Sequence, residues 1–488
     1  MSSRNMLKKL ALLVLISALV AFTLVACGES EPEVVEVTRV VVEEVAGEPE
    51  VIEVTRVVEV EGETQTITEV VTATPEPEAP AAPKPAGDLV MWGWAPQVFY
   101  DTGLVDEFTA EYPDINVEWI NYGSGDTYQN LQLAMIAGEG GPDIVQIENS
   151  HLGQFVDLGG LADISANVEP YIDVMNDFKW ETAEKDGKYY AMPWDSGPVV
   201  LFYRRDVLEQ AGLPTDPESV SDLVATWDDY FAMCETIVAE TGLDCFAQNK
   251  ANNYGRLFIA MLWQQGLGFF NENGEVTVDS PEAIATLEKL GEFWEADLVS
   301  DELDWTDGWS AQMNSFDNPV ATHVEAAWHG WMLKTWLASD TTGEWGVVPM
   351  PALEDGQTRS ANSGGSTLAI LDTSENKEAA WAFVEFMLGR ERSQLLQLAA
   401  ADFLPSLETT YDDPLFIEGD AFYAQQPVRK VYYEAAQVIP QANIYGSDYP
   451  LMEGHVATAV QQFATGAMTA EEALGEAAAA IRLETGMQ

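Results

Sequence analysis

Between residues 88 and 148 the hydrophobic period switches repeatedly, and this alternation constrains the fold more than any other feature. "DLVMWGW" at 88–94 is an apolar run of strand length that stops at a Gly-Trp-Ala-Pro loop. "GLVDEFTAEYP" has helical apolar spacing and is ended by Pro113. "INVEWINY" alternates like a half-buried strand, "TYQNLQLAMIAGEGGPD" is a helix stopped by glycines, and "IVQIE" is a short apolar strand. Strand, helix, strand, helix, strand predicts an α/β lobe with a mostly parallel sheet.

A second set of elements follows "YYAMPWDSGPVVLFYRRDVLEQAGL". Residues 196–203 are strand-like, and a helix over 206–211 stops at Gly212. "TWDDYFAMCETIVAETG" is a helix with Thr226 as its N-cap. "FFNENGEVTV" is a hairpin turning at Asn273-Gly274. "SPEAIATLEKLGEFWEADL" is a helix capped by Ser280 with Pro281 in its first turn. "SGGSTLAILDTSENKEAAWAFVEFMLG" gives a strand, a loop and a helix. "TAEEALGEAAAAIRLETG" closes the chain, with Thr469 and Glu472 spaced as a capping box. All 15 tryptophans lie in this body, from about Asp88 to Gln488, which is long enough for two or three domains' worth of core.

The N-terminus has a different character. Arg4, Lys8 and Lys9 precede an uncharged apolar run from Leu10 to Ala26, shorter than the ~20 residues a membrane span needs. A basic start, a short apolar core and small residues at its end describe an export signal over 1–26. Leu24-Val25-Ala26-Cys27-Gly28 resembles the lipobox of bacterial lipoproteins. That resemblance implies cleavage before Cys27, lipidation of Cys27 and a body outside the cytoplasm, anchored to the cell membrane. Residues 27–87 contain no aromatic residue and cannot build a core. "EPEVVEVTRVVVEEVAG" at 31–47 recurs as "EPEVIEVTRVVEVEGET" at 48–64, and "TPEPEAPAAPKPAG" is a stiff proline-rich spacer. The segment is expected to be a disordered acidic tether, although its Val/Glu/Thr alternation also has strand propensity.

The formal charge of −59 disfavours nucleic acid and anionic membrane as partners. It either attracts cationic ligands or is a solvated acidic surface. Outside the cytoplasm Cys234 and Cys245 are expected to form a disulfide, with Gly242 supplying a turn between them; two buried thiols are the alternative.

The order of motifs identifies a wider resemblance. "FTAEYPDINVEW", "IAGEGGPDIVQI", "KDGKYYAMPWDSGPVVLFYRRDVLEQAGL", "FFNENGEVTVDSPEAIATLEKL" and "NSGGSTLAILDTSENKEAAWAFVEFML" follow one another in sequence. With them the body is similar to the extracellular solute-binding proteins of ABC importers, in the sugar-binding group that includes maltose-binding protein. The resemblance implies an α/β, two-lobe periplasmic-binding-protein-like fold with a hinge and an inter-lobe cleft. It implies one lobe of 88–195 plus 360–410 and another of 199–355 plus 411–488. It also implies a monomer, a carbohydrate ligand held in the cleft, ABC permease subunits as partners and no cofactor.

A sugar needs flat aromatic platforms and side chains that exchange hydrogen bonds with its hydroxyls. Trp94, Glu148, Trp194 and Asp195 stand at strand ends or at the crossover, where an α/β cleft forms. For Trp194 and Asp195 hinge packing is the alternative. Trp92, within a strand, is expected in the core, and Asp126 is a helix cap rather than a ligand. In "EAAWHGWML" the resemblance selects Trp331 as a stacking residue and leaves Trp328 to the core. Gly364, Gly365 and Ser366 in "NSGGS" let backbone amides approach a ligand. Tyr254 and Tyr445 resemble aromatic positions of the family's second lobe. The four histidines have no metal-ligand spacing, and no nucleophile elbow or phosphate loop is present. Carboxylates are too abundant for a glycosidase pair to be excluded by counting. Two alternatives therefore stand beside sugar binding: a polyamine or other small-solute binder of the same fold, and an extracytoplasmic carbohydrate-active enzyme.

Overall fold

The structure, a computed structural model, describes residues 84–250, 255–271, 273–442 and 445–488, and the strands at 37–41, 51–60 and 63–72. Residues 1–26, Cys27 and Tyr254 lie outside the described residues. In the N-terminal unit, Val37–Val41, Val51–Val60 and Glu63–Thr72 pair antiparallel in that order. Over these residues the expectation of a disordered tether is corrected. The alternation of β-branched Val and Thr with Glu gives the period of two that a strand requires.

The body contains strands β1 (Gly87–Gly93), β2 (Ile115–Asn121), β3 (Ile144–Glu148), β4 (Ala191–Pro193), β5 (Val199–Arg204), β6 (Thr322–Ala326), β7 (Trp345–Pro349) and β8 (Ser366–Ile370). Its longer helices are α1 (Leu104–Glu111), α2 (Ser124–Ala137), α3 (Asn149–Leu158), α4 (Trp227–Thr241), α5 (Arg256–Trp263), α6 (Pro281–Glu295), α7 (Lys377–Leu388), α8 (Glu391–Ala401), α9 (Val428–Ala436), α10 (Tyr449–Ala464) and α11 (Ala470–Thr485).

Lobe 1 is built on a sheet of order β2-β1-β3-β8-β4. β1 runs parallel to β2 and β3, as the strand–helix alternation predicts, while β8 returns antiparallel between β3 and β4. Its core joins Phe99 and Phe108 to Phe383 and Phe386 of α7. Lobe 2 has an antiparallel sheet of order β6-β5-β7. Both faces of β5 are covered: Val199, Leu201 and Tyr203 enter one core, and Val200 and Phe202 enter another. A strand buried on both sides needs an unbroken apolar run, and "VVLFY" supplies it.

Local signals place several boundaries. Thr226 with Asp229 and Thr469 with Glu472 form capping boxes, and Ser280 caps α6. α4 ends at Gly242 with φ +68°, a left-handed turn that sends the chain back. Cys234 and Cys245 are bonded, their Cα atoms 5.2 Å apart.

The chain crosses between lobes more than once. Trp194 lies in the lobe 1 core and Val199 in that of lobe 2; Ala361 and Leu368 mark the return. Asp195–Ser196 pairs antiparallel with Leu404–Pro405. Along this third passage Ala401, Phe403 and Leu407 pack into lobe 1 but Leu398 and Leu404 into lobe 2, so no sharp boundary falls at 410.

Candidate functional site

The carboxyl ends of β1 and β3, the crossing segments and the start of α5 surround a cavity of about 410 Å³ between the lobes. Its walls include Trp94, Ser124, Gln146, Glu148, Asp195, Arg256, Trp305, Trp328, Trp331, Trp336, Gly365, Ser366 and Phe403. Ligands of open α/β sheets lodge where strands end, and the aromatic faces are gathered there.

Each wall is held by identifiable contacts. The loop after β1 is fixed by Gln146, whose Oε1 accepts the N–H groups of Trp94 at 3.1 Å and Ala95 at 2.9 Å. Gln146 in turn donates from Nε2 to Ser366 Oγ at 3.0 Å. The Trp94 ring stands edge-on to Tyr128, 5.8 Å between centroids. Tyr128 stacks on His151 at 4.3 Å and accepts the Glu148 N–H through its hydroxyl at 3.2 Å. Trp331 packs edge-on against Phe403 at 6.1 Å. Trp328 Nε1 donates to Ser363 O at 3.0 Å, fixing its ring against the crossing segment.

Arg256 is the cleft's guanidinium, 5.8 Å from the Trp328 ring centroid. Burial opposes its charge, but the surrounding Glu325, Glu148 and Glu453 outweigh burial and hold it above its ordinary range. Burial in turn raises the carboxyl groups of Glu325 and Glu453, against the pull of Arg256. The His151 imidazole is lowered by burial, and burial raises Asp195 against the pull of Lys179.

Of the residues read from sequence, Trp94, Glu148, Asp195, Trp331, Gly365 and Ser366 come together on this cavity. Asp195 is only 5 % exposed and its Oδ1 accepts the Ser366 N–H at 2.8 Å, so the carboxylate is already engaged in shaping the wall. Trp194 is a correction. It is 1 % exposed, stacks on Phe99 at 4.7 Å and donates from Nε1 to Gln397 Oε1, which makes it part of the lobe 1 core. Gly364 is not among the wall residues; a Cβ there would stand 3.2 Å from Trp328 Nε1 and 3.7 Å from Glu148 Oε1, so it packs close to two residues that are. Tyr445 lines a separate cavity of about 240 Å³ with Trp263, Phe270, Asp157 and Lys185. Its hydroxyl accepts from Asn362 Nδ2 at 3.3 Å, and burial raises its pKa. Trp92 is buried in the lobe 1 core, as expected.

Trp328, expected in the core, is half-buried and faces the cleft. Sequence reasoning also missed Arg256, Trp305, Trp336 and Phe403. Trp336 has a physical explanation. Leu333–Leu337 is a π-turn, closed by the Ala338 N–H donating to Leu333 O at 3.0 Å. Its wider turn carries Trp336 round to the wall of Trp331, where the ordinary helical period would not place it.

The model of the bacterial extracellular solute-binding proteins matches residues 98–392. The chain belongs to that family. Among its relatives, the arabinooligosaccharide-binding protein of Halalkalibacterium halodurans is 29 % identical over 350 residues, covering 69 % of this chain and 75 % of the relative. The lactose-binding protein of Rhizobium radiobacter is 28 % identical, covering 74 % and 84 %. Solved structures share the fold. The GacH receptor of Streptomyces glaucescens, solved unliganded and with acarbose, superposes with a TM-score of 0.69 at 21 % identity, covering 82 % of this chain and 98 % of its own. An ABC-transporter-associated binding protein from B. animalis subsp. lactis, solved with beta-1,6-galactobiose, gives 0.70 at 22 % identity, covering 82 % and 99 %. The two-lobe architecture of this solute-binding protein is thus that of its structural neighbours.

Proposed function

We infer that this solute-binding protein captures a carbohydrate, an oligosaccharide rather than a single sugar, and presents it to the permease of an ABC importer. The observation that carries the reading is the wall of the 410 Å³ cavity, where five tryptophans and Phe403 stand beside Gln146, Glu148 and Ser366. Aromatic faces match the C–H faces of sugar rings, and amide, carboxylate and hydroxyl groups match their hydroxyls. The relatives named for arabinooligosaccharide and lactose binding support the same class. Capture needs no bond-breaking step: contacts from both lobes favour the closed form, and only that differential affinity shifts the lobe equilibrium. Cys27, at the end of a lipobox-like leader, is the lipid anchor that keeps the body outside the cytoplasm and beside its permease.

A thermal-shift and calorimetry panel of mono- and oligosaccharides with polyamines, followed by product analysis, tests the reading. Saturable binding of an oligosaccharide without turnover is expected, since a ligand specific to the folded state raises its melting temperature. Release of shorter sugars makes the protein an enzyme instead. Binding of a polyamine alone makes the acids around Arg256 the recognition element.

A further inference from the structure

The hinge contains a buried cation. Lys179, in the helix Asp177–Ala183 of lobe 1, is fully buried. Its Nζ donates to the carbonyl oxygen of Asp195 at 2.5 Å and to that of Ser366 at 3.1 Å. These two residues lie on segments that cross between the lobes in opposite directions. The segments are also joined directly by the Ser366 N–H to Asp195 Oδ1 bond of 2.8 Å. Between them Gly365 has φ +84°, and a Cβ there would stand 2.6 Å from Asp195 O and 2.9 Å from Lys179 Nζ. Only glycine lets the three groups meet. From Ser366 the bonding continues through Gln146 to the N–H groups of Trp94 and Ala95. One connected set of hydrogen bonds runs from the hinge to a loop that carries a cleft tryptophan.

Desolvation works against an ammonium here and pulls Lys179 down to about 8. An apolar side chain of similar length would fill the space without that penalty, so packing does not explain the lysine. Resting on the carbohydrate-capture reading, we propose that Lys179 is a positioning residue: it fixes the two crossing segments at Asp195 and Ser366 in the ligand-competent arrangement without touching the ligand. The charged groups facing it are Asp195 and Glu148, and burial raises the Asp195 carboxyl against the pull of the ammonium.

Lys179→Met in the full chain tests this, by calorimetry with an oligosaccharide that saturates the wild type. Affinity is expected to fall about tenfold, within the usual range of coupling between sites; the sugar-free melting temperature is expected to fall as well, because the buried Asp195 carboxyl loses the cation that faces it. Wild-type affinity is also expected to weaken between about pH 7 and about pH 9.5 as the ammonium loses its proton, and the variant's to stay flat. Unchanged affinity in a folded Lys179→Met overturns the proposal, and so does a flat wild-type profile. If the variant does not fold, the wild-type profile decides alone. A wild type that binds no sugar overturns the capture reading and this proposal with it, a result distinct from a loss confined to the variant.

Discussion

Gly153 of α3 and Gly446 of lobe 2 meet where the two lobes touch. A Cβ on Gly153 would lie 2.9 Å from the carbonyl carbon of Gly446, 3.0 Å from its oxygen and 3.0 Å from Ser447 N. All three are backbone atoms, so no side chain can swing aside. Carbon atoms pack best at about 3.5–4.0 Å, so Gly153→Ala requires the lobes to separate here by roughly 0.6 Å or more. Overpacking of this kind costs about 1–3 kcal/mol in any arrangement that keeps this contact, and an arrangement in which the lobes part here relieves it. Within lobe 1 the same substitution favours the helix by up to about 1 kcal/mol. The two effects have opposite signs. Sugar-free Gly153→Ala should melt at or above the wild-type temperature, while its affinity for the oligosaccharide falls roughly 5- to 150-fold. Differential scanning calorimetry and titration calorimetry on one preparation read both quantities. A folded variant with wild-type affinity would show that this contact is absent from the ligand-bound form and would refute the reasoning.

Trp331→Ala should weaken oligosaccharide binding by about 1–3 kcal/mol without unfolding the body; titration calorimetry with circular dichroism as the folding control checks it. His323 and His329 share a hydrogen bond of 3.0 Å in the interior, and burial pulls His323 down to about 3 and His329 well below its usual value. The unfolded chain takes up protons below about pH 6.5 that the folded chain refuses, so stability is intact above that pH and declines toward pH 3. Melting temperatures across this window should fall with acid, and His323→Gln should flatten the decline; a wild type equally stable at both ends contradicts it. Cys27→Ser should move the exported protein from the detergent to the aqueous phase in a partitioning assay, and unchanged partitioning would exclude the lipid anchor.

The alternation at 88–148 was enough to anticipate lobe 1, because strand and helix periods are properties of neighbouring residues. The caps at Thr226, Ser280 and Thr469 were legible for the same reason: donor and acceptor lie three residues apart. The antiparallel return of β8 was not, because its partners β3 and β4 are fixed by distant packing. Among site residues the errors follow the same division. Trp194 and Asp195 are adjacent at the crossover, yet the first packs into the core against Phe99 while the second stays beside the cleft, bonded to the Ser366 N–H. Trp336 depends on a π-turn and Trp305 on a left-handed backbone at φ +67°, neither of which hydrophobic spacing encodes. In the N-terminal segment the strand period is carried by the Val/Thr/Glu alternation itself, and backbone pairing of strands does not require aromatic residues.

The distribution of chemistry across the cleft bears on the order of capture. Lobe 1 contributes one tryptophan, Trp94, but also Ser124, Gln146 and Glu148, whose polar groups suit a sugar rim. Lobe 2 and the crossing segment next to it contribute Trp305, Trp328, Trp331 and Trp336. Trp305 and Trp336 are 52 % and 47 % exposed, so their faces are open to an arriving ligand. Stacking on exposed rings tolerates approximate registration, whereas hydrogen bonds are lost beyond about 3.5 Å. A ligand can therefore settle first on the lobe 2 tryptophans and wait for lobe 1 to bring its polar groups into range. The loop of Trp94 and the amide of Gln146 are tied to Ser366 at the hinge, so the groups that must register most accurately are those the crossing segments hold directly. Closure then adds contacts that the open form lacks, and that difference is what a two-lobed binder needs to convert occupancy into shape.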